Sequence, residues 1–134
     1  MKKLTNLILC LLLFAPLPAQ TDCKPLFEPI AETLRKTDFA AFSDYFAKAI
    51  ECNILGEEQT YSKEQALQVI RNFFNVNGEV RSYTIKHCSG KEYLKYAIGN
   101  LTTTNGSTYR ITLFVSLDEG NKPKIQQLRI THNS

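Results

Sequence analysis

Leu94-Lys95-Tyr96-Ala97-Ile98-Gly99-Asn100-Leu101-Thr102-Thr103-Thr104-Asn105-Gly106-Ser107-Thr108-Tyr109-Arg110-Ile111-Thr112-Leu113-Phe114-Val115 reads as two strands folded about an Asn-Gly pair. A two-residue type I′ hairpin needs positive φ at both central positions, and asparagine followed by glycine tolerates this best. Closing such a turn on Asn105-Gly106 sets Asn100 opposite Ile111, Ile98 opposite Leu113, Tyr96 opposite Val115 and Leu94 opposite Leu117. One face of the hairpin is then apolar almost throughout, so turn and pattern agree. Extending outward, strands are predicted over 80–88, 93–103, 108–117 and 124–131, with further turns near Ser89-Gly90 and Glu119-Gly120. Four consecutive strands with such turns make an antiparallel meander.

Upstream of Gly78 the period changes from two to that of a helix. Ser62 and Gln65 form a capping box, in which the serine oxygen and the glutamine side chain each satisfy one free backbone amide. Leu67, Ile70, Phe73 and Phe74 supply the buried stripe of that helix, and Asn77-Gly78 stops it. Before it, Ile50 to Leu55 alternates as a strand ending at Gly56, preceded by two short helices. Phe27, Ile30 and Leu34 mark the first after Pro25, and Phe39, Phe42 and Phe46 mark the second after Thr37. The expected fold is α+β, three helices packed on one face of a curved antiparallel sheet in the order α-α-β-α-β-β-β-β.

Met1, Lys2 and Lys3 precede an uncharged apolar run from Leu4 to Phe14, and Pro16 and Pro18 stand before Ala19. That is a signal-peptide layout, too short for a permanent span of about 20 apolar residues. Residues 1–19 are expected to be removed, leaving 20–134 as a single domain in the periplasm or outside the cell, with no stable membrane anchor. Two of the sixteen Lys and Arg residues go with the leader, so fourteen face thirteen acids and the formal charge falls from +3 to +1. No Lys or Arg run survives to hold nucleic acid phosphates. Of the remaining cysteines, Cys23, Cys52 and Cys88, an oxidising destination lets any two pair, which leaves three pairings open. Their spacing fits no zinc site, and no metal or cofactor is expected.

The element order, with the spacing of Asp38-Phe39-Ala40-Ala41-Phe42 and Phe46, resembles the nuclear transport factor 2-like superfamily, whose sheet curls round its helices into a cone. Ile54-Leu55-Gly56, Tyr61-Ser62-Lys63, Phe73-Phe74, Tyr96-Ala97-Ile98-Gly99, Leu101-Thr102-Thr103 and Gln126-Gln127-Leu128-Arg129-Ile130 more closely resemble an exported bacterial family, domain of unknown function 4783. The resemblance implies a fold and an address, and transfers no catalytic residue.

Carrying the alternation through the meander turns Tyr83, Ile85, His87, Leu94, Tyr96, Ile98, Asn100, Ile111, Leu113, Val115, Gln126, Leu128 and Ile130 toward the helices. Tyr83, His87, Tyr96, Asn100 and Gln126 are therefore the candidate ligand-binding residues of a cone pocket, since a buried polar group needs a partner. The outer face would carry Ala97, Gly99, Leu101, Phe114 and Ile125, rimmed by Arg110 and Arg129, a mixed patch suited to a protein interface. Pairing of superfamily members through this face implies a homodimer. The leading expectation is a non-enzymatic module binding a small, largely apolar ligand or a protein partner. One alternative is an isomerase or dehydratase with His87 as general base; another is a structural domain whose cone is filled by Phe42, Phe46, Phe73 and Phe74.

Overall fold

The computed structural model describes residues 23–133, so the expected signal peptide lies outside the described residues. The chain runs α1 (Lys24–Arg35), α2 (Phe39–Ser43), β1 (Phe46–Ile54), β2 (Glu57–Ser62), α3 (Lys63–Asn77), β3 (Val80–Lys91), β4 (Leu94–Thr103), β5 (Thr108–Leu117) and β6 (Pro123–His132). Three helices pack on one face of a six-stranded sheet of order β2-β1-β6-β5-β4-β3. All neighbours are antiparallel except β1 and β6, which run parallel. The expected α+β architecture is present, with one strand more than the sequence pattern announced. β2 escaped notice because Glu57, Glu58, Gln59 and Thr60 are all exposed, and an edge strand of polar residues shows no apolar alternation.

The helices begin where local chemistry predicts. Ser62 Oγ accepts from Gln65 N at 3.2 Å and Gln65 Oε1 accepts from Ser62 N at 3.0 Å, closing the capping box of α3. Asp38 caps α2 by accepting from Ala41 N at 3.1 Å. That helix stops at Ser43, so Phe46 is the first residue of β1 rather than the last of a helix. Its ring is buried and packs edge-on to Phe42 at 5.1 Å.

The main departure lies at the β4–β5 turn. The loop contains three residues, Thr104, Asn105 and Gly106: Gly106 N donates to Thr103 O and Thr103 N to Ser107 O. Only Gly106 has positive φ, which marks a type I turn closed by a left-handed glycine. The added loop residue moves the register by one, pairing Asn100 with Arg110, Ile98 with Thr112 and Tyr96 with Phe114. Because side chains alternate with period two, the slip turns all of β4 over. Ala97, Gly99, Leu101 and Thr103 face the helices, while Leu94, Tyr96, Ile98 and Asn100 face away.

The concave core is built from Phe27, Ile30 and Leu34 of α1, Phe42 and Phe46, Ile70 and Phe74 of α3, and the inward residues of the strands, all buried. The small inward side chains of β4 make room for Tyr83, whose ring lies where a Cβ on Gly99 would meet it at 2.5 Å. A disulfide joins Cys23, at the start of α1, to Cys88 of β3, with Cα atoms 6.0 Å apart. Cys52 is free and buried between the positions of Ile50 and Ile54 on the inward face of β1.

Candidate binding surfaces

Three β-bulges decide which polar residues reach the concave face. Each occurs where two polar residues stand between apolar ones: Arg81-Ser82 between Val80 and Tyr83, Lys86-His87 between Ile85 and Cys88, Gln126-Gln127 between Ile125 and Leu128. An extra residue on one strand leaves both polar side chains on the solvent side and restores the apolar ones to the core. Strict alternation through these points sends His87 and Gln126 inward, and that expectation is corrected: both are exposed. Gln126 Nε2 donates to Ser116 Oγ at 2.8 Å, and His87 Nε2 lies 3.3 Å from the Tyr96 hydroxyl.

Of the five residues expected to line a cone pocket, Tyr83 alone is inside. It is 1% exposed, its hydroxyl donates to Ile111 O at 3.4 Å, and burial pushes its phenol far above the usual range. Arg35 Nε donates to Tyr83 O at 2.8 Å and is itself held by Glu28 at 3.0 Å and Glu32 at 3.2 Å. Tyr83 is thus fixed as a core residue. Tyr96 and Asn100 are carried outward by the β4 register, as is His87 by its bulge. The interior under the helices is packed with phenylalanine rings, with Phe39 stacked on Phe74 at 5.0 Å and Phe73 edge-on to both Phe74 and Tyr109. This removes His87 from the cone as a candidate general base. Among the described residues no three His, Cys, Asp or Glu side chains converge as metal ligands.

The expected interface divides in the same way. Ala97, Gly99, Leu101 and Ile125 belong to the concave face and are buried in the core, whereas Phe114, Arg110 and Arg129 stand on the convex face. What replaces the lost patch is a strip of rings. His87 lies 5.7 Å from Tyr96, Tyr96 lies 6.1 Å from Phe114, and the Arg129 guanidinium sits 5.9 Å from the centre of Phe114. Cation and ring attract through the quadrupole, which draws Arg129 to the strip. Beside it a shallow hollow of about 160 Å³ lies among Leu94, Tyr96, Phe114 and Gln126. Sequence reasoning missed the partnership of Tyr96 with Phe114, although the doubled polar residues at the bulges were a readable signal of where alternation breaks.

A second concavity lies at the margin of the cone, between α3 and the β1–β2 hairpin. It has a volume of about 230 Å³ and reaches Cys52 and Phe73. Desolvation pushes the Cys52 thiol up to about 11, so it is protonated and unreactive at neutral pH.

Comparison with known proteins agrees with this architecture. A family model described as "Domain of unknown function (DUF4783)" matches residues 27–131. A DUF4783 family protein from Bacteroides uniformis superposes with a TM-score of 0.72 at 21% identity, over 80% of this chain and 96% of that one. One from Bacteroides fragilis gives 0.70 at 25% identity, over 78% and 95%. A nuclear transport factor 2-like protein of unknown function from Cytophaga hutchinsonii gives 0.58 at 14% identity, over 87% and 95%, a likeness of fold alone. No curated protein matches. The aromatic clusters suit binding of a small molecule or a partner; the fold is like that of nuclear transport factor 2-like proteins, and the chain belongs to the DUF4783 family.

Proposed function

We propose that this chain is an exported binding domain that works as a homodimer joined through the convex face of its sheet. The observation that carries the reading is the ring strip of Tyr96 and Phe114, with Arg129 beside it, on the convex face of the sheet. Aromatic residues and arginine are the side chains enriched at the centres of interfaces. Six strands at about 4.8 Å each and a length near 30 Å give a face on the scale of the ~800 Å² per partner that a stable complex buries.

The charge distribution favours a second copy as the occupant. Glu51 of β1 and Glu58 of β2 stand at one side of the convex face, while Lys86 and His87 of β3 stand at the other. A two-fold axis parallel to the strands lays β1–β2 of one copy over β3 of the second. Acids then meet bases twice, as a self-complementary interface requires. Export is supported by the leader-like start of the sequence and by the Cys23–Cys88 disulfide, which persists only in an oxidising compartment.

One measurement tests the reading as a whole: native and denaturing mass spectrometry of the protein recovered from an exporting host, with Phe114→Arg alongside. The expected result is a chain cleaved after Ala19, one disulfide, a dimer for the wild type and a folded monomer for Phe114→Arg. A wild-type monomer at tens of micromolar, or a dimer indifferent to the substitution, overturns the interface; an uncleaved chain overturns export.

A further inference from the structure

The cone is full, but its margin is not. The cleft between α3 and the β1–β2 hairpin opens between helix and sheet, and its floor is made of two core residues, Cys52 at 1% and Phe73 at 7% exposure. At about 230 Å³ it has room for roughly eight waters at ~30 Å³ each, the volume of a molecule of about ten non-hydrogen atoms. Ile54 and Tyr61 on the hairpin side and Val69 and Val76 on the helix side form the apolar part of its lining, and Glu57, Asn72 and Asn77 the polar part. A concavity that sets apolar side chains beside a few polar groups is the usual form of a small-molecule site.

The rim decides the chemistry. Asn77 is already committed, its Nδ2 donating to Phe73 O at 2.8 Å and its Oδ1 accepting from the Tyr109 hydroxyl at 3.3 Å, so it shapes the cleft and offers a ligand little. Asn72 of α3 is exposed at the opening, and its side chain makes no hydrogen bond among the described residues. The sole charged group in the lining is the carboxylate of Glu57, at the start of β2, and no cation among the described residues forms an ion pair with it. Glu58 beside it adds to the negative potential of the hairpin. One free carboxylate over an aromatic floor, with the Tyr61 and Phe73 rings also presenting negative faces, complements a cation. An anion would meet repulsion from Glu57 and find no donor of positive charge.

We infer that this cleft binds a small primary amine with an aromatic or branched apolar body, the ammonium at Glu57 and Asn72 and the body against Tyr61, Phe73 and Cys52. The site lies at the hairpin edge and the inward side of β1, away from the convex strip, and stands whether or not the chain dimerises. Cys52 serves as an apolar floor, protonated and without a covalent role.

The probe is benzylamine, eight non-hydrogen atoms, titrated into isotope-labelled protein and followed by backbone amide shifts, with benzyl alcohol and benzoate as controls. Benzylamine is expected to move the amides of Cys52, Ile54, Asn72 and Phe73 with a dissociation constant on the order of a millimolar. Benzyl alcohol should bind about fivefold more weakly and benzoate not at all; Glu57→Gln should erase the difference between amine and alcohol. Val76 is 71% exposed, so Val76→Trp can close the cleft from its rim without disturbing the core, and should abolish the shifts. Benzoate binding as well as benzylamine, shifts that map elsewhere, shifts that survive Val76→Trp in a folded variant, or no shifts at all each overturn the proposal.

Discussion

Two tight hairpins in this molecule hold the same lesson in opposite senses. Leu55-Gly56, between β1 and β2, carries positive φ at both positions, 52° and 93°, and pairs Ile54 with Glu57 across a two-residue loop. Asn105-Gly106 has the preferred sequence for that geometry and does not adopt it; a three-residue loop forms instead. Partners outside the turns decide. Leu55 N donates to Ile130 O at 2.9 Å and Gly56 N to Asn53 Oδ1 at 3.2 Å, which hold a leucine in the left-handed region. At the other turn Thr104 N donates to Glu79 O at 2.9 Å, and Ser107 N is shared between the Thr103 hydroxyl and Asn105 Oδ1. The preference of Asn-Gly for a type I′ turn is local, and a few hydrogen bonds at about 0.5–1.5 kcal/mol each outweigh it.

The largest expected effect follows from the register that the longer loop imposes. Leu101→Ala opens a cavity in the concave core and should cost about 2–5 kcal/mol, whereas Ile98→Ala, on the convex side, should cost below about 1 kcal/mol in the monomer. Urea denaturation of a monomeric background such as Phe114→Arg measures both. A larger loss at Ile98 than at Leu101 would restore the two-residue turn and refute the structure of β4.

Gly99→Ala gives a smaller effect with a more telling sign. An alanine on an exposed strand stabilises relative to glycine by roughly 0.5–1 kcal/mol. At Gly99 the new methyl would stand 2.5 Å from the Tyr83 ring and 2.7 Å from its hydroxyl oxygen, so overpacking should cost about 1–3 kcal/mol. In a Tyr83→Leu background the penalty should shrink, because the two residues share one volume. A Gly99→Ala variant more stable than its parent in the wild-type background would place that face in solvent.

How far the sequence could be read follows from the range over which each signal acts. The capping box of α3 closes within four residues and was legible, as were the α3 stripe, the α1 stripe and the four meander strands. Both faces of β4 are apolar, Tyr96 and Ile98 on one and Ala97 and Leu101 on the other, so hydrophobicity alone did not choose between registers differing by one residue. The candidate pocket inherited that error at Tyr96 and Asn100, and the bulges added His87 and Gln126. Tyr83 precedes both the second bulge and the β4 turn, and it was placed on the correct face. The cleft at Cys52 was invisible because one of its walls is β2, a strand of exposed polar residues.

The smallest effect sharpens the hairpin comparison most directly. Leucine in the left-handed region costs about 1–2 kcal/mol through the clash of Cβ with the following carbonyl, and asparagine tolerates it better. Leu55 is 40% exposed, so Leu55→Asn gives up little buried apolar surface and keeps the backbone bond to Ile130. It should stabilise the domain by roughly 0.5–1 kcal/mol, read as a rise in the denaturation midpoint at unchanged slope. Asn105→Leu tests the converse. Since φ at that position is not positive, no left-handed penalty arises, and the loss of its acceptor to Ser107 N and the Thr103 hydroxyl should destabilise by about 1 kcal/mol. A loss of stability in Leu55→Asn would mean that its side chain contributes more to the β1–β2 edge than its exposure allows. The ligand cleft that this hairpin walls would then have to be redrawn.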